Sequence, residues 1–260
     1  MTDKDLAPRL GRPATGVVIT GGASGIGLAS ARALAAVGRP VALWDIQESR
    51  AAQAAAEIAE SHGVAALGLG VDVRDPAAIT LAAEATRSGL PSVGGLVHCA
   101  GIVDTGSLEG VTIESWDDGI AIHLRAVVLL LQAFLEDLKR HPGSAMVATA
   151  SINATLGNGV NPIYTAAKGG VLSLVRSLAD RLARDGIRIN AISPGMIMTP
   201  MTRPAAEALG RDYFEKRILM ERFGEPEEIG RAVRFLLSEE ASYVTAAEFI
   251  VDGGNVSSQR

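Results

Sequence analysis

Val17-Val18-Ile19-Thr20-Gly21-Gly22-Ala23-Ser24-Gly25-Ile26-Gly27 carries a short β-branched run into a glycine cluster, and an alanine-rich stretch from about 25 to 37 follows. That order reads as strand, tight turn, helix: β-branched residues suit a strand, glycine permits a sharp turn, and alanine is the strongest helix former. The turn would leave the free N–H groups and positive end of the helix facing the carboxyl edge of a sheet, a natural seat for a pyrophosphate. The spacing departs from G-x-G-x-x-G, and a glycine cluster alone is weak evidence, so the rest of the chain must supply context.

Outward from this stretch the alternation continues. Strands are expected at 41–44, 64–73, 95–99, 145–149, 187–192 and 248–251, and helices at 49–62, 75–88 (opened by Asp75-Pro76), 112–139, 164–184 and 226–237. Alternating strands and helices imply right-handed crossovers and a parallel sheet with helices on both faces. Short, mostly apolar strands agree with burial on both sides. No repeat or interdomain linker interrupts the pattern, so residues 14–260 read as a single domain preceded by a loose polar arm at 1–13. Residues 194–226 break the rhythm with a Pro-Gly step, Met196, Met198 and Met201, and further prolines. A stretch this long usually covers a site, so 196–222 is read as a substrate lid. A surface excursion with methionines filling gaps is the alternative.

Composition narrows the function classes. The 260 residues are 48% hydrophobic and 20% charged, which fits a globular chain with a sizeable core. A net charge of −5 and the lack of a basic run argue against a nucleic-acid partner. No apolar run approaches 18 residues, and MTDKDLAPRLGRP lacks the apolar core of a signal peptide, so the expectation is a cytoplasmic protein outside the membrane. Cys99 is the single cysteine, and His62, His98, His123 and His141 are scattered, which leaves no zinc-ligand spacing and no metal expected.

Two further features carry chemistry. Tyr164 and Lys168 stand one turn apart on one helix face. An ammonium near a phenol, whose ordinary pKa is about 10, stabilises the phenolate and makes tyrosine usable as a general acid/base. Such a pair alone is more often a surface contact. Asp45 ends the second strand, 18 residues beyond Gly27, where a carboxylate can take the adenosine ribose hydroxyls. It would repel a 2′-phosphate, and neither Ile46 nor Gly22, Ala23 and Ser24 supplies a cation, so NAD is preferred over NADP; a strand-end turn residue is the alternative.

Together these pieces resemble the short-chain dehydrogenases/reductases from about residue 15 to 254. The matches are Thr20-Gly-Gly-Ala-Ser-Gly-Ile-Gly27, Asp72-Val73, Cys99-Ala100-Gly101 in place of Asn-Asn-Ala-Gly, Ser151, Tyr164-x-x-x-Lys168, Asn190-Ala-Ile-Ser-Pro194-Gly195 with Thr199, and Val251-Asp-Gly-Gly254. The resemblance implies a Rossmann-like, doubly wound, mainly parallel sheet of about seven strands. It implies a hydride-transferring oxidoreductase acting on a secondary alcohol or ketone. Tyr164 would exchange the substrate proton, Ser151 would hold the substrate oxygen, and Lys168 would depress the tyrosine pKa and bind the nicotinamide ribose. Gly21, Ser24, Gly25, Ile26 and Gly27 would cradle the cofactor, and Asp72 and Val73 would contact adenine. The backbone at Ala100 and Gly101 would pass along the cofactor, while Pro194, Gly195, Ile197 and Thr199 would seat the nicotinamide.

Two departures stand out. His98-Cys99 replaces the family's Asn-Asn, and His123 replaces the catalytic asparagine that anchors a water in the proton relay from lysine. Imidazole could hold that water or pass the proton itself; a packed helix residue is the alternative. Gly169 and Gly170 inside a helix suggest close helix pairing in a homodimer, which the resemblance extends to a homotetramer through the last helix and strand. The competing readings are a nucleotide-binding regulatory or structural protein with a decayed site and a lyase or isomerase on the same fold. The substrate pocket is expected from 103–107, 152–163 and 196–220, with Arg203 and Arg211 as candidate contacts for an anionic substrate; solvated lid charges are the alternative.

Overall fold

The computed structural model describes residues 7–259. In chain order the elements are β1 (Gly16–Thr20), α1 (Gly25–Ala35), β2 (Val41–Asp45), α2 (Glu48–His62), β3 (Ala66–Gly70), α3 (Pro76–Gly89), β4 (Val93–His98) and α4 (Ile113–Ile120). A π-helical turn (Ala121–Arg125) leads into α5 (Ala126–Arg140), β5 (Ala145–Thr149), α6 (Asn153–Leu156), α7 (Pro162–Ala183) and β6 (Arg188–Pro194). The chain closes with α8 (Arg203–Leu209), α9 (Arg211–Glu215), α10 (Pro226–Leu236) and β7 (Glu248–Val251).

All seven strands pair in parallel in the order β3-β2-β1-β4-β5-β6-β7. Side-chain alternation along the strands feeds two cores. Val18, Ala42 and Trp44 point to the face covered by α3, α5 and α7, where the Trp44 and Phe134 rings lie 5.7 Å apart. Val17, Ile19, Val41 and Leu43 point to the opposite face, packed with Leu34, Ile58 and Val233 of α1, α2 and α10. Chain order reverses between β1 and β4, so the crossovers depart in opposite directions there. That opens a crevice at the carboxyl ends of the two strands.

Several expectations need correction. The strand expected at 64–73 is only Ala66–Gly70, a partly exposed sheet edge. The helix expected at 112–139 runs over Ile113–Arg140 and carries a π-turn, an extra residue per turn, at His123. By length and composition the helix Ile113–Arg140 could cross a bilayer, since an 18-residue window in it has mean hydropathy 1.6, but half of that window is buried within the domain, as in a core helix. The lid expected at 196–222 contains two short helices, α8 and α9. Residues 1–6 of the expected loose arm lie outside the described residues, and the remainder is tied down. Arg9 donates to Glu239 and Glu240, and the Glu239 N–H donates to the Arg12 carbonyl at 2.7 Å.

At the amino ends of the strands, two buried arginines hold carbonyls near the C-terminus of α10. Arg39 donates to the carbonyls of Thr15 (2.9 Å) and Leu237 (3.0 Å), and Arg188 donates to those of Leu236 (2.8 Å) and Ser238 (3.0 Å). Cations at a helix C-terminus also complement its dipole.

Candidate active site

The crevice deepens into a cavity of about 520 Å³ at the carboxyl edge of the sheet. The first wall is the β1–α1 turn. Gly21 has φ +64°, and a Cβ there would lie 2.9 Å from the Ala100 nitrogen, so only glycine lets β1 and β4 converge. At Gly27 a Cβ would come 2.1 Å from the Gly21 carbonyl oxygen, so α1 can start this close to the turn only with glycine. Ser24, the N-cap of α1, makes no side-chain cap bond, and Gly25, Ile26 and Gly27 line the cavity. This fits the residues to a phosphate group.

Asp45 stands beside this turn. Its Oδ2 accepts the Ala23 N–H at 3.1 Å and its Oδ1 accepts the Gln47 N–H at 3.0 Å, so it both braces the glycine loop and lines the cavity. Asp72 and Val73 line the neighbouring wall, together with a cation that the sequence reading overlooked. Arg74 clasps Asp72 (2.7 Å) and reaches Asp118 on α4 (3.0 Å). Its hydrogen bond draws the Asp72 carboxyl below its ordinary value despite partial desolvation. Two carboxylates around one guanidinium leave Arg74 already paired.

Ser151, Tyr164 and Lys168 also converge on the cavity, as do Ala100, Gly101, Pro194, Gly195, Ile197 and Thr199. Ser151 follows β5, and its Oγ accepts the Asn153 N–H at 3.1 Å. Burial raises the Tyr164 phenol above its ordinary pKa, while a hydrogen bond from Ser151 works against that rise. Lys168 Nζ lies 5.5 Å from the centre of the Tyr164 ring and donates to the Thr149 carbonyl at 2.6 Å. Burial lowers Lys168 itself to about 8.

His123 is buried on the π-turn, its ring edge-to-face with Tyr164 at 5.3 Å. Its Nε2 meets both backbone groups of Ile102, the carbonyl oxygen at 2.7 Å and the N–H at 3.2 Å; the carbonyl can only accept and its contact is the shorter, so Nε2 carries the hydrogen and donates. Nδ1 is then an acceptor, and it is buried without a partner. Burial first, and the charge of Lys168 second, lower His123 to about 2, so the ring is neutral.

His98 is placed by a chain of hydrogen bonds that fixes its tautomer. The Ile122 carbonyl can only accept, so His98 Nε2 carries the hydrogen and donates to it at 2.9 Å. Nδ1 then accepts from the Thr20 hydroxyl at 2.8 Å, while Thr20 Oγ1 accepts the Ala100 N–H at 3.2 Å. The first residue of the departing His98-Cys99 pair thus clamps the end of β4 to the π-turn that carries His123. Cys99 Sγ lies 3.2 Å from Thr149 Oγ1, and burial pushes its thiol up to about 11.

Of the expected pocket segments, 196–220 lines the cavity with Ile197, Thr199, Pro200, Met201 and Thr202, whereas 103–107 and 152–163 lie outside its lining. Arg211 pairs with Glu215 at 3.0 Å and lies over the Phe223 ring. Among the described residues no group of three or more His, Cys, Asp or Glu side chains is placed to hold a metal ion.

Comparison with known proteins adds independent findings. The sequence pattern of the family described as enoyl-(acyl carrier protein) reductase matches residues 21–255. The chain is 37% identical over 246 residues to 2-(S)-hydroxypropyl-CoM dehydrogenase 3 of Xanthobacter autotrophicus, covering 92% of this chain and 95% of that protein. It is 33% identical to D-threitol dehydrogenase of Mycolicibacterium smegmatis, covering 91% of each. Among solved structures, L-sorbose reductase from Gluconobacter frateurii, complexed with NADPH and L-sorbose, superposes with TM-score 0.89 at 31% identity, covering 94% of this chain and 97% of that one.

Proposed function

Because this chain belongs to the short-chain dehydrogenase/reductase family, we propose that it is an NAD(H)-dependent oxidoreductase that interconverts a secondary alcohol and a ketone in the cytoplasm. When bound, the nicotinamide supplies or takes up the hydride. The observation that carries the reading is the grouping of Ser151, Tyr164 and Lys168 at the carboxyl edge, beside a glycine turn built to admit a phosphate.

In this reading Ser151 orients the substrate oxygen and its hydrogen bond favours the Tyr164 phenolate. Tyr164 gives or takes the substrate proton. Lys168, lowered to about 8, suits onward proton transfer near neutral pH and holds the nicotinamide ribose hydroxyls. His123 takes the asparagine's part through Nδ1, as an acceptor holding a water. It does not carry the proton itself, because its burial opposes an imidazolium. Asp45 selects NAD by accepting the ribose hydroxyls. The NADPH in the sorbose reductase complex makes this selection worth direct measurement.

A second copy of the chain is proposed to pack on the face of α5 and α7 around Leu124, Val128 and Leu174, the homodimer, with a homotetramer completed through the exposed Phe249 and Ile250 of β7. Gly170 is explained within one subunit, since a Cβ there would meet Leu124 at 2.9 Å, whereas Gly169 faces open space. Sedimentation as a monomer at micromolar concentration would remove the oligomer.

The test of the activity is a panel of secondary alcohols and ketones assayed with NAD(H) and NADP(H), using wild type and Tyr164→Phe. Turnover by wild type and its loss in the variant, with NAD binding retained, support the proposal. NAD binding without turnover on any member of the panel would favour the decayed-site reading.

A further inference from the structure

The helix bearing Tyr164 and Lys168 begins without help from its own N-cap. Asn161 occupies that position and makes no side-chain cap bond to the helix. Each of the four N–H groups at the start of a helix needs a partner from elsewhere. The Asn161 N–H goes to the Asn158 carbonyl at 3.1 Å, and Pro162 has none. The two that remain are taken by one side chain from a different loop. Asp104 Oδ2 accepts the Ile163 N–H at 3.2 Å, and Oδ1 accepts the Tyr164 N–H at 2.9 Å, across sixty residues of sequence. The contact is returned, because the Asn161 side-chain amide donates to the Asp104 carbonyl.

Asp104 belongs to a segment held at both ends. Two residues earlier, the Ile102 carbonyl accepts from His123 Nε2, and the His123 ring packs edge-to-face on Tyr164. Beyond Asp104, Ser107 donates from Oγ to the Gly159 carbonyl (2.8 Å) and from N–H to the Val160 carbonyl (3.2 Å). Tyr164 is therefore held twice by residues that grip the same segment: at its backbone by Asp104 and at its ring by His123. A tyrosine in the first turn of a helix sits where helices fray, and loss of an N-cap carboxylate weakens that turn first.

We infer that Asp104 is a positioning residue for the proton-transferring tyrosine: by capping α7 from the loop after β4, it fixes the Tyr164 phenol. The inference rests on the proposed role of Tyr164. The test compares Asp104→Ala, Asp104→Asn, Asn161→Ala and Tyr164→Phe in the full chain by kcat, by NAD affinity and by amide hydrogen exchange of the peptide containing Ile163 and Tyr164.

In Asp104→Ala, exchange at the start of α7 should accelerate and kcat should fall by roughly tenfold to a hundredfold, as a small misplacement of a reacting group does, with NAD affinity unchanged. Asp104→Asn, whose amide oxygen can still accept one of the two N–H groups, should recover part of both losses. Asn161→Ala should show a smaller loss of the same kind, and it carries the test if Asp104→Ala does not fold. Faster exchange with wild-type kcat would overturn the inference, leaving Asp104 as a structural cap only. Unchanged exchange, or a kcat loss that merely follows loss of NAD affinity, would also overturn it. Wild-type turnover by Tyr164→Phe would instead strike the functional reading, and the exchange data would still report the cap.

Discussion

His98 donates from Nε2 to the carbonyl oxygen of Ile122, 2.9 Å away, joining the end of β4 to the π-turn that carries His123. Burial, reinforced by the charge of Lys168, lowers this imidazole from 6.5 to about 3. In the unfolded chain His98 takes a proton below about pH 6.5, while the folded state resists until about pH 3. Stability is therefore retained above the unfolded value and lost as pH falls through that window.

Between pH 7 and pH 5, His98 alone should cost about 2 kcal/mol of stability. His98→Asn, which keeps a donor for Ile122 without a titrating ring, should show a flatter acid limb in denaturant unfolding measured at both pH values. Equal slopes for the two proteins would exclude His98 as the source.

Gly101 should prove intolerant of alanine because of His123. A Cβ there would lie 2.5 Å from His123 Cε1 and 3.1 Å from Nδ1. Gly101→Ala should lower kcat by roughly tenfold, about 1.4 kcal/mol, by forcing the ring aside. The double variant Gly101→Ala/His123→Asn should regain activity, since asparagine is shorter and can still accept a water's hydrogen bond. His123→Ala with an unchanged rate-against-pH profile would show that Nδ1 holds no part of the proton path.

Asp45→Ala removes the carboxylate that braces Ala23 and faces the cavity. The ratio of kcat/KM for NAD to that for NADP should fall by roughly thirtyfold, equivalent to about 2 kcal/mol for one lost charged hydrogen-bonding group. Steady-state kinetics with both cofactors checks this. An unchanged ratio would reduce Asp45 to a turn residue.

Arg39→Met should destabilise the domain by about 3 kcal/mol, because the carbonyls of Thr15 and Leu237 lose their donor in a buried setting. Arg39 is lowered to about 10 by burial first and by Arg188 second, so it stays charged at neutral pH. Its place at the amino ends of the strands, opposite the cavity, predicts unchanged KM values. Thermal unfolding and kinetics on the same preparation separate the two effects.

The sequence by itself determined the parts that depend on local chemistry. The β-branched runs, the Thr20 to Gly27 turn, the Asp75-Pro76 helix start and the i, i+4 spacing of Tyr164 and Lys168 are legible because a strand, a turn and a helix face are specified by neighbours within a few residues. Only the tertiary structure decided the relations between distant segments. It paired Asp104 with Tyr164, closed Arg74 between Asp72 and Asp118, set the His98 tautomer through the Ile122 carbonyl, and bound Lys168 to the Thr149 carbonyl. It also turned the expected straight helix into one with a π-turn at His123. Hydrogen-bond partners sixty residues apart leave no periodicity to read, and burial, which moves the pKa values of His98, His123 and Lys168, is a property of the packed whole.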